Sequence, residues 1–204
     1  MEKNKKRINK KIRVNILLII IIIFISSCST YKYKVDSEKN ETYNLLRLKV
    51  KYSDINNRYS GKILILKQND SKKIFILNPL GRIYFKLLLR GENTTAIYVK
   101  KKKYWTGFFN EFIRKIWGIS IEFDILYKII VFGQTPDNKN NAYSAKIKTI
   151  NDEDGKPEII EIRKNNIYLR FKIIKNEMKK GKINFKTDMG KFYKTELNEL
   201  FEKS

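Results

Sequence analysis

Between residues 45 and 105 strand signals run densely along the chain, several of them alternating apolar and polar positions with a period of two. "LLRLKVKY" (45–52) sets Leu46, Leu48, Val50 and Tyr52 against Arg47, Lys49 and Lys51. Successive strand side chains point to opposite faces of a sheet, so this pattern predicts a half-buried strand. "GKILILKQ" (61–68) is apolar on both faces, and "KKIFIL" (72–77) leads into Asn78-Pro79-Leu80-Gly81. "RIYFKLLLR" (82–90) places Ile83, Phe85, Leu87 and Leu89 on one side, and "TTAIYVKKKKYW" (94–105) holds one further strand or two. Short strands with turn signals at this spacing predict an antiparallel meander.

The period then changes. Phe109, Phe112, Ile113 and Ile116 recur at helical spacing up to Gly118, and a second helix is expected from Asp124, as N-cap, through Leu126, Tyr127, Ile129 and Ile130 to Gly133. After the polar loop "QTPDNKNN" strands resume at 143–150, 157–163 and 166–174, with another in "KINFKT" after Gly181. The tail predicts a short helix with Tyr193, Leu197, Leu200 and Phe201 turned inward. Strands, two helices, then strands is an α+β order. One curved antiparallel sheet, open as an incomplete barrel and covered on its concave face by helices, satisfies it. Such an arrangement can enclose an apolar cavity.

The turn at 78–81 is unusual in one residue. Proline fixes its backbone and glycine permits the bend, both ordinary in a turn, but turn tips normally carry polar residues rather than a leucine. Leu80 either folds back onto the core or stands out from the sheet.

The N-terminus sets the compartment. A basic stretch ends at Arg13, an apolar run of about ten residues spans Ile16 to Ile25, and Ser26-Ser27-Cys28-Ser29 follows. Such a run is too short to cross a hydrocarbon core about 30 Å thick as a helix, and the pattern is that of a secretory signal. "FISSC" resembles the lipobox of bacterial lipoproteins, in which the thiol is acylated and the chain is cut just before it. Cys28 is the only cysteine, so no intramolecular disulfide can form. The expected organisation is a signal peptide at 1–27, a lipidated N-terminus and tether at 28–44, and a folded domain at 45–204. Acyl chains at Cys28 would anchor it.

Charge and composition narrow the function classes. The chain of 204 residues carries a formal charge of +23, of which seven basic groups and one acid lie in the first 27 residues. The remaining +17 favours anionic surfaces, although a general richness in Lys, Ile and Asn also makes proteins basic without purpose. No zinc-ligand spacing, RNP-type segment or basic heptad helix is present, so nucleic-acid binding is not expected. Histidine is absent and the sole cysteine is committed to lipid, so hydrolase and metal chemistry lack their commonest groups. Asp152-Glu153-Asp154-Gly155 lacks the ligand spacing of a calcium loop and reads as a solvated turn. No catalytic residue, metal or cofactor is expected. Lys100-Lys101-Lys102-Lys103 is the one basic run, read as a docking patch or as a solvated hairpin.

Taken with the lipobox, "LNPLG" (77–81) between strands and "FIRKIWGISIEFDILYKIIVFGQTP" (112–136) resemble the LolB-type outer-membrane lipoprotein receptors. These accept lipoproteins from a periplasmic carrier and insert them into the outer membrane. The likeness is best from 60 to 136. The tryptophan-rich strand that the family has before the turn has no equivalent at 62–73. The resemblance implies a membrane-insertion turn at Pro79, Leu80 and Gly81, with Leu80 protruding. It also implies an acyl-chain cavity. Its sheet side would be lined by Ile63, Ile65, Phe75, Leu77, Ile83, Phe85 and Leu87, its helical side by Phe109, Phe112, Ile113, Ile116 and Trp117. The implied partners are a LolA-like carrier, cargo lipoproteins held by their acyl chains, and the membrane, with the protein a monomer. Ser29 after the lipidated cysteine resembles an outer-membrane sorting signal. The competing expectations are an envelope scaffold of the same fold without cargo, and a binding protein for free lipid or glycolipid.

Overall fold

The alternating segments fold into a single ten-stranded sheet that does not close. The computed structural model describes residues 35–36, 41–134 and 145–201, all within a compact unit running from Lys34 to the C-terminus. The expected signal peptide, Cys28, Ser29 and most of the loop at 134–141 lie outside the described residues. In chain order the elements are β1 (Val35–Asp36), β2 (Thr42–Ser53), β3 (Arg58–Gln68), β4 (Ser71–Leu77), β5 (Ile83–Arg90), β6 (Asn93–Tyr98) and β7 (Lys103–Phe108). Then come helices α1 (Phe109–Trp117) and α2 (Phe123–Phe132), strands β8 (Lys146–Asn151), β9 (Pro157–Lys164), β10 (Ile167–Lys180), β11 (Lys182–Ile183) and β12 (Tyr193–Lys194), and helix α3 (Leu197–Phe201). The sheet order is β12-β7-β6-β5-β4-β3-β2-β10-β9-β8, and every pairing is antiparallel except the parallel β12–β7 contact. Two meanders, β2 to β7 and β8 to β10, are joined where β2 pairs with β10 from Thr42↔Lys180 to Ser53↔Tyr168.

The pleat sorts the apolar residues by face. One rung crosses six strands as Leu46, Ile65, Ile74, Leu87, Ala96 and Trp105, all buried in the main core. α1 packs on this face because its apolar residues recur at helical spacing: Phe112 meets Phe85 edge-on at 5.4 Å and Trp117 meets Phe171 at 5.7 Å between ring centres. The Glu111 carboxylate accepts the Phe108 backbone N–H at 3.3 Å, satisfying one of the free donors at the helix start. Gly118, at φ 68°, ends α1 by donating its N–H to the Arg114 carbonyl, a left-handed cap that glycine adopts without steric cost. α2 begins two residues earlier than expected: Glu122 is the N-cap, and Asp124 sits in the first turn, where its charge favours the helix dipole and meets Lys72 at 3.4 Å.

Several expectations are corrected. Phe75 and Leu77 belong to the rung containing Arg47, Leu64, Lys86 and Ile97 or to its neighbour, so they face away from the helices; Ile74 and Ile76 face them. "KKIFIL" is apolar on both faces, and its alternation alone could not say which half points to α1. The stretch 94–105 is two strands, β6 and β7. "KINFKT" contributes only Lys182–Ile183, paired with Val35–Asp36 outside the large sheet, and β2 starts at Thr42, so part of the expected tether is strand. Tyr193 is exposed in β12, whereas Leu200 is buried and Phe201 packs on Phe85 and Phe112 as predicted.

The far face is not left bare. The segment after Gly181 runs back across it: the Gln68 amide donates to the Gly181 carbonyl at 3.3 Å and accepts the Ile183 N–H at 2.9 Å. Lys73 Nζ donates to the Asn184 carbonyl at 2.6 Å, and Lys86 Nζ to Thr187 Oγ1 at 2.5 Å. Burial, with the Lys86 charge nearby, lowers the Lys73 pKa from 10.5 to about 8, and burial lowers that of Lys86. Between pH 8 and 10.5 the unfolded chain therefore holds a proton at Lys73 that the folded chain has released, and stability from this residue rises with pH through that window. Urea unfolding of wild type and Lys73→Met across this range should show a steeper upward slope for wild type; parallel curves would mean that Lys73 stays charged beneath the segment.

Candidate functional site

The turn at 78–82 is closed by three hydrogen bonds. Gly81 donates to the Asn78 carbonyl at 2.9 Å, Asn78 to the Arg82 carbonyl at 3.0 Å, and the Arg82 N–H to Asn78 Oδ1 at 2.9 Å. Pro79 at the first central position and Gly81 at φ 80° complete a type I turn followed by a left-handed residue, a common hairpin closure. The base is clamped as well, because Tyr59 OH donates to the Leu77 carbonyl at 3.0 Å. Gly61 permits that approach: a Cβ there would lie 2.4 Å from the Leu77 oxygen. On this scaffold Leu80 is 81% exposed. It does not fold back onto the core.

Antiparallel order gathers other turns at the same end of the sheet. The β2–β3 loop is organised by Asp54, whose Oδ1 accepts the Asn56 and Asn57 N–H groups at 2.8 and 2.6 Å. Its Oδ2 accepts the Tyr52 hydroxyl at 2.5 Å, the largest cause of a carboxyl pKa lowered to about 2. This loop presents Ile55, 76% exposed, a residue that the sequence reading missed. An isoleucine inside "SDINN" is the same kind of signal as Leu80 and could have been read with it.

The lysine run at 100–103 is divided by the β6–β7 turn. Lys100 and Lys102 are exposed, with Lys102 at φ 53°, while Lys101 lies over the Tyr98 ring at 5.5 Å. Lys103 is paired with Tyr193 in the sheet and donates to the Glu199 carbonyl at 3.4 Å. Of the four, Lys100 and Lys102 are exposed, and Lys101 and Lys103 are half-buried.

Of the expected cavity residues, Ile63, Ile65, Phe85, Leu87, Phe109, Phe112, Ile113 and Trp117 are buried together between the helices and the sheet. Ile116 packs on the margin of this cluster, and Ile83 is half-buried beside a register shift in the β4–β5 pairing. The free space among them is about 20 Å³, lined by residues that include Leu48, Ile63, Ile113, Trp117, Leu126 and Phe171. That is room for roughly one water molecule, whereas small-molecule pockets span roughly 300–1,000 Å³. In this conformation the interior is a packed core.

The remaining candidate groups are used structurally. Asp152 Oδ1 accepts the Asp154 and Lys156 N–H groups within the β8–β9 turn, as a solvated turn requires. Among the described residues no cluster of His, Cys, Asp or Glu is placed to hold a metal ion, and no helix is long and apolar enough to cross a membrane. No protein-family model matches the chain, and no curated protein matches it in sequence.

Proposed function

We propose that this protein is a lipid-anchored lipoprotein of the LolB type, facing the periplasm from the outer membrane. In this reading the sheet curves around α1 and α2, which cover its concave face. Cargo acyl chains, handed over by a periplasmic carrier, enter between helices and sheet, and the cargo is then released into the membrane without catalysis. The observation that carries the reading is the Leu80 turn: a large apolar side chain, 81% exposed, at the tip of a hairpin closed by three hydrogen bonds. Moving that side chain into acyl chains gains roughly 1.5–3 kcal/mol, enough to perturb a nearby leaflet though not to anchor a domain. Because the interior now holds about 20 Å³, acyl entry in this reading requires α1 and α2 to part from the sheet.

The filled interior favours a second reading, in which the same fold serves as an envelope scaffold without cargo. The two separate in one assay. Full-length lipidated protein on liposomes receives a labelled lipoprotein from a loaded carrier, with wild type set against Leu80→Glu. Transfer by both, with membrane insertion reduced at least tenfold in the variant and its melting unchanged, is the expected result. Absence of transfer by either protein would leave the scaffold reading.

A further inference from the structure

We infer that the far face of β3, β2 and β10, adjoining the Leu80 turn, docks onto an anionic phospholipid bilayer. This deepens the membrane role proposed for the turn and assigns the lipid chemistry that the domain would select. The basis is a charge pattern that costs stability in water. Lys172, Lys49 and Lys62 stand directly opposite one another across three adjacent strands. In the rungs on either side Arg170 faces Lys51, and Lys175 faces Arg47. Like charges directly opposite in an antiparallel pair are destabilising. Acidic neighbours relieve only the β10 members: Glu158 lies 2.9 Å from Lys172, Glu161 3.8 Å from Arg170, and Glu177 2.8 Å from Lys175. Arg47, Lys49, Lys51 and Lys62 are all exposed, and none has a carboxylate within 4 Å among the described residues. The segment after Gly181 covers Gln68, Lys73 and Lys86 on this face, so the basic rungs belong to the part left open.

Position selects the kind of anion. Lys62 pairs with Leu77, the last residue of β4 before the Leu80 turn, and Arg58 pairs with Ser53 at the foot of the loop that carries Ile55. Unpaired cations therefore run directly into two exposed apolar side chains. A soluble polyanion offers nothing to Leu80 and Ile55. A bilayer offers phosphates to the lysines and acyl chains to the tips, and basic residues near an anionic leaflet are attracted to it.

The test uses the full lipidated chain reconstituted on vesicles, with lysine accessibility read by amine acylation and mass spectrometry. On vesicles rich in phosphatidylglycerol, labelling of Lys49, Lys51 and Lys62 should fall roughly fivefold or more relative to phosphatidylcholine alone. It should recover in high salt, while Lys115 and Lys128 on the helices stay unchanged. Arg47→Glu combined with Lys51→Glu, both exposed, should abolish the protection of Lys49 and Lys62 without altering the circular dichroism spectrum. Equal labelling on the two vesicle types, or the same protection by soluble polyglutamate, overturns the inference. Protected lysines without cargo insertion would uphold this surface and remove the transfer function. Cargo insertion with unprotected lysines would overturn the surface and leave transfer standing.

Discussion

Truncation after Lys180 is expected to abolish cooperative folding, although it removes no strand from the interior of the sheet. The lost segment carries Ile183 and Leu200, both buried, and Phe201, whose ring packs on Phe85 and Phe112. Each fully buried side chain of this kind stabilises by roughly 1.5–3 kcal/mol, against a total for a domain of roughly 5–15 kcal/mol. The loss extends to polar groups, because Gln68, Lys73 and Lys86 give up the partners that the segment supplies. Each hydrogen bond lost in this way costs a further 0.5–1.5 kcal/mol or so. Urea titration followed by near-ultraviolet circular dichroism is the check. A truncated protein that melts cooperatively within a few degrees of wild type would make the C-terminal segment an appendage.

Trp117→Ala should be the most damaging single substitution on the helix side. Trp117 is buried, lines the small residual space and packs against Phe171. Removing a buried aromatic leaves a hole that neighbours refill only in part, at a cost of about 3–5 kcal/mol. For a domain of this size that lowers the melting temperature by roughly 6–20 °C. Because the new hole is apolar, added indole should recover part of the loss, as apolar ligands do in engineered apolar cavities. A melting temperature unchanged by the substitution would show that α1 is not clamped to the sheet at this point, and would make an interior that opens for acyl chains easier to reach.

The sequence and the structure agree where physics is local. Alternation located β2 and β5 because one period-two stripe faces a packed layer, and the helical spacing of Phe109, Phe112 and Ile113 located α1 for the same reason. Pro79 and Gly81 announced the turn, and its closure by Asn78 keeps Leu80 outside. What failed was non-local. "KKIFIL" is apolar on both faces, so only its pairing with β3 and β5 could show that Ile74 and Ile76, not Phe75 and Leu77, meet the helices. The segment after Gly181 looks like another strand of the meander. Its course is set by hydrogen bonds to Gln68, Lys73 and Lys86, more than a hundred positions earlier in the chain, which no local pattern encodes. The basic rungs were equally hidden: Lys49, Lys62 and Lys172 are distant in sequence and adjacent only once three strands have paired.

The pairing of β2 with β10 also constrains the order in which the chain folds. β2 emerges among the first described segments, and β3 can zip onto it at once across a short loop. Its other edge waits for Ile167–Lys180. Contacts that close such long loops form late and slow the search for the native state. Until they form, β2 shows a bare edge that another chain could join, and Arg47, Lys49 and Lys51 along it provide the charge that deters such pairing. Until then the domain is half a sheet, and the segment from Ile167 onwards decides when it becomes a whole one.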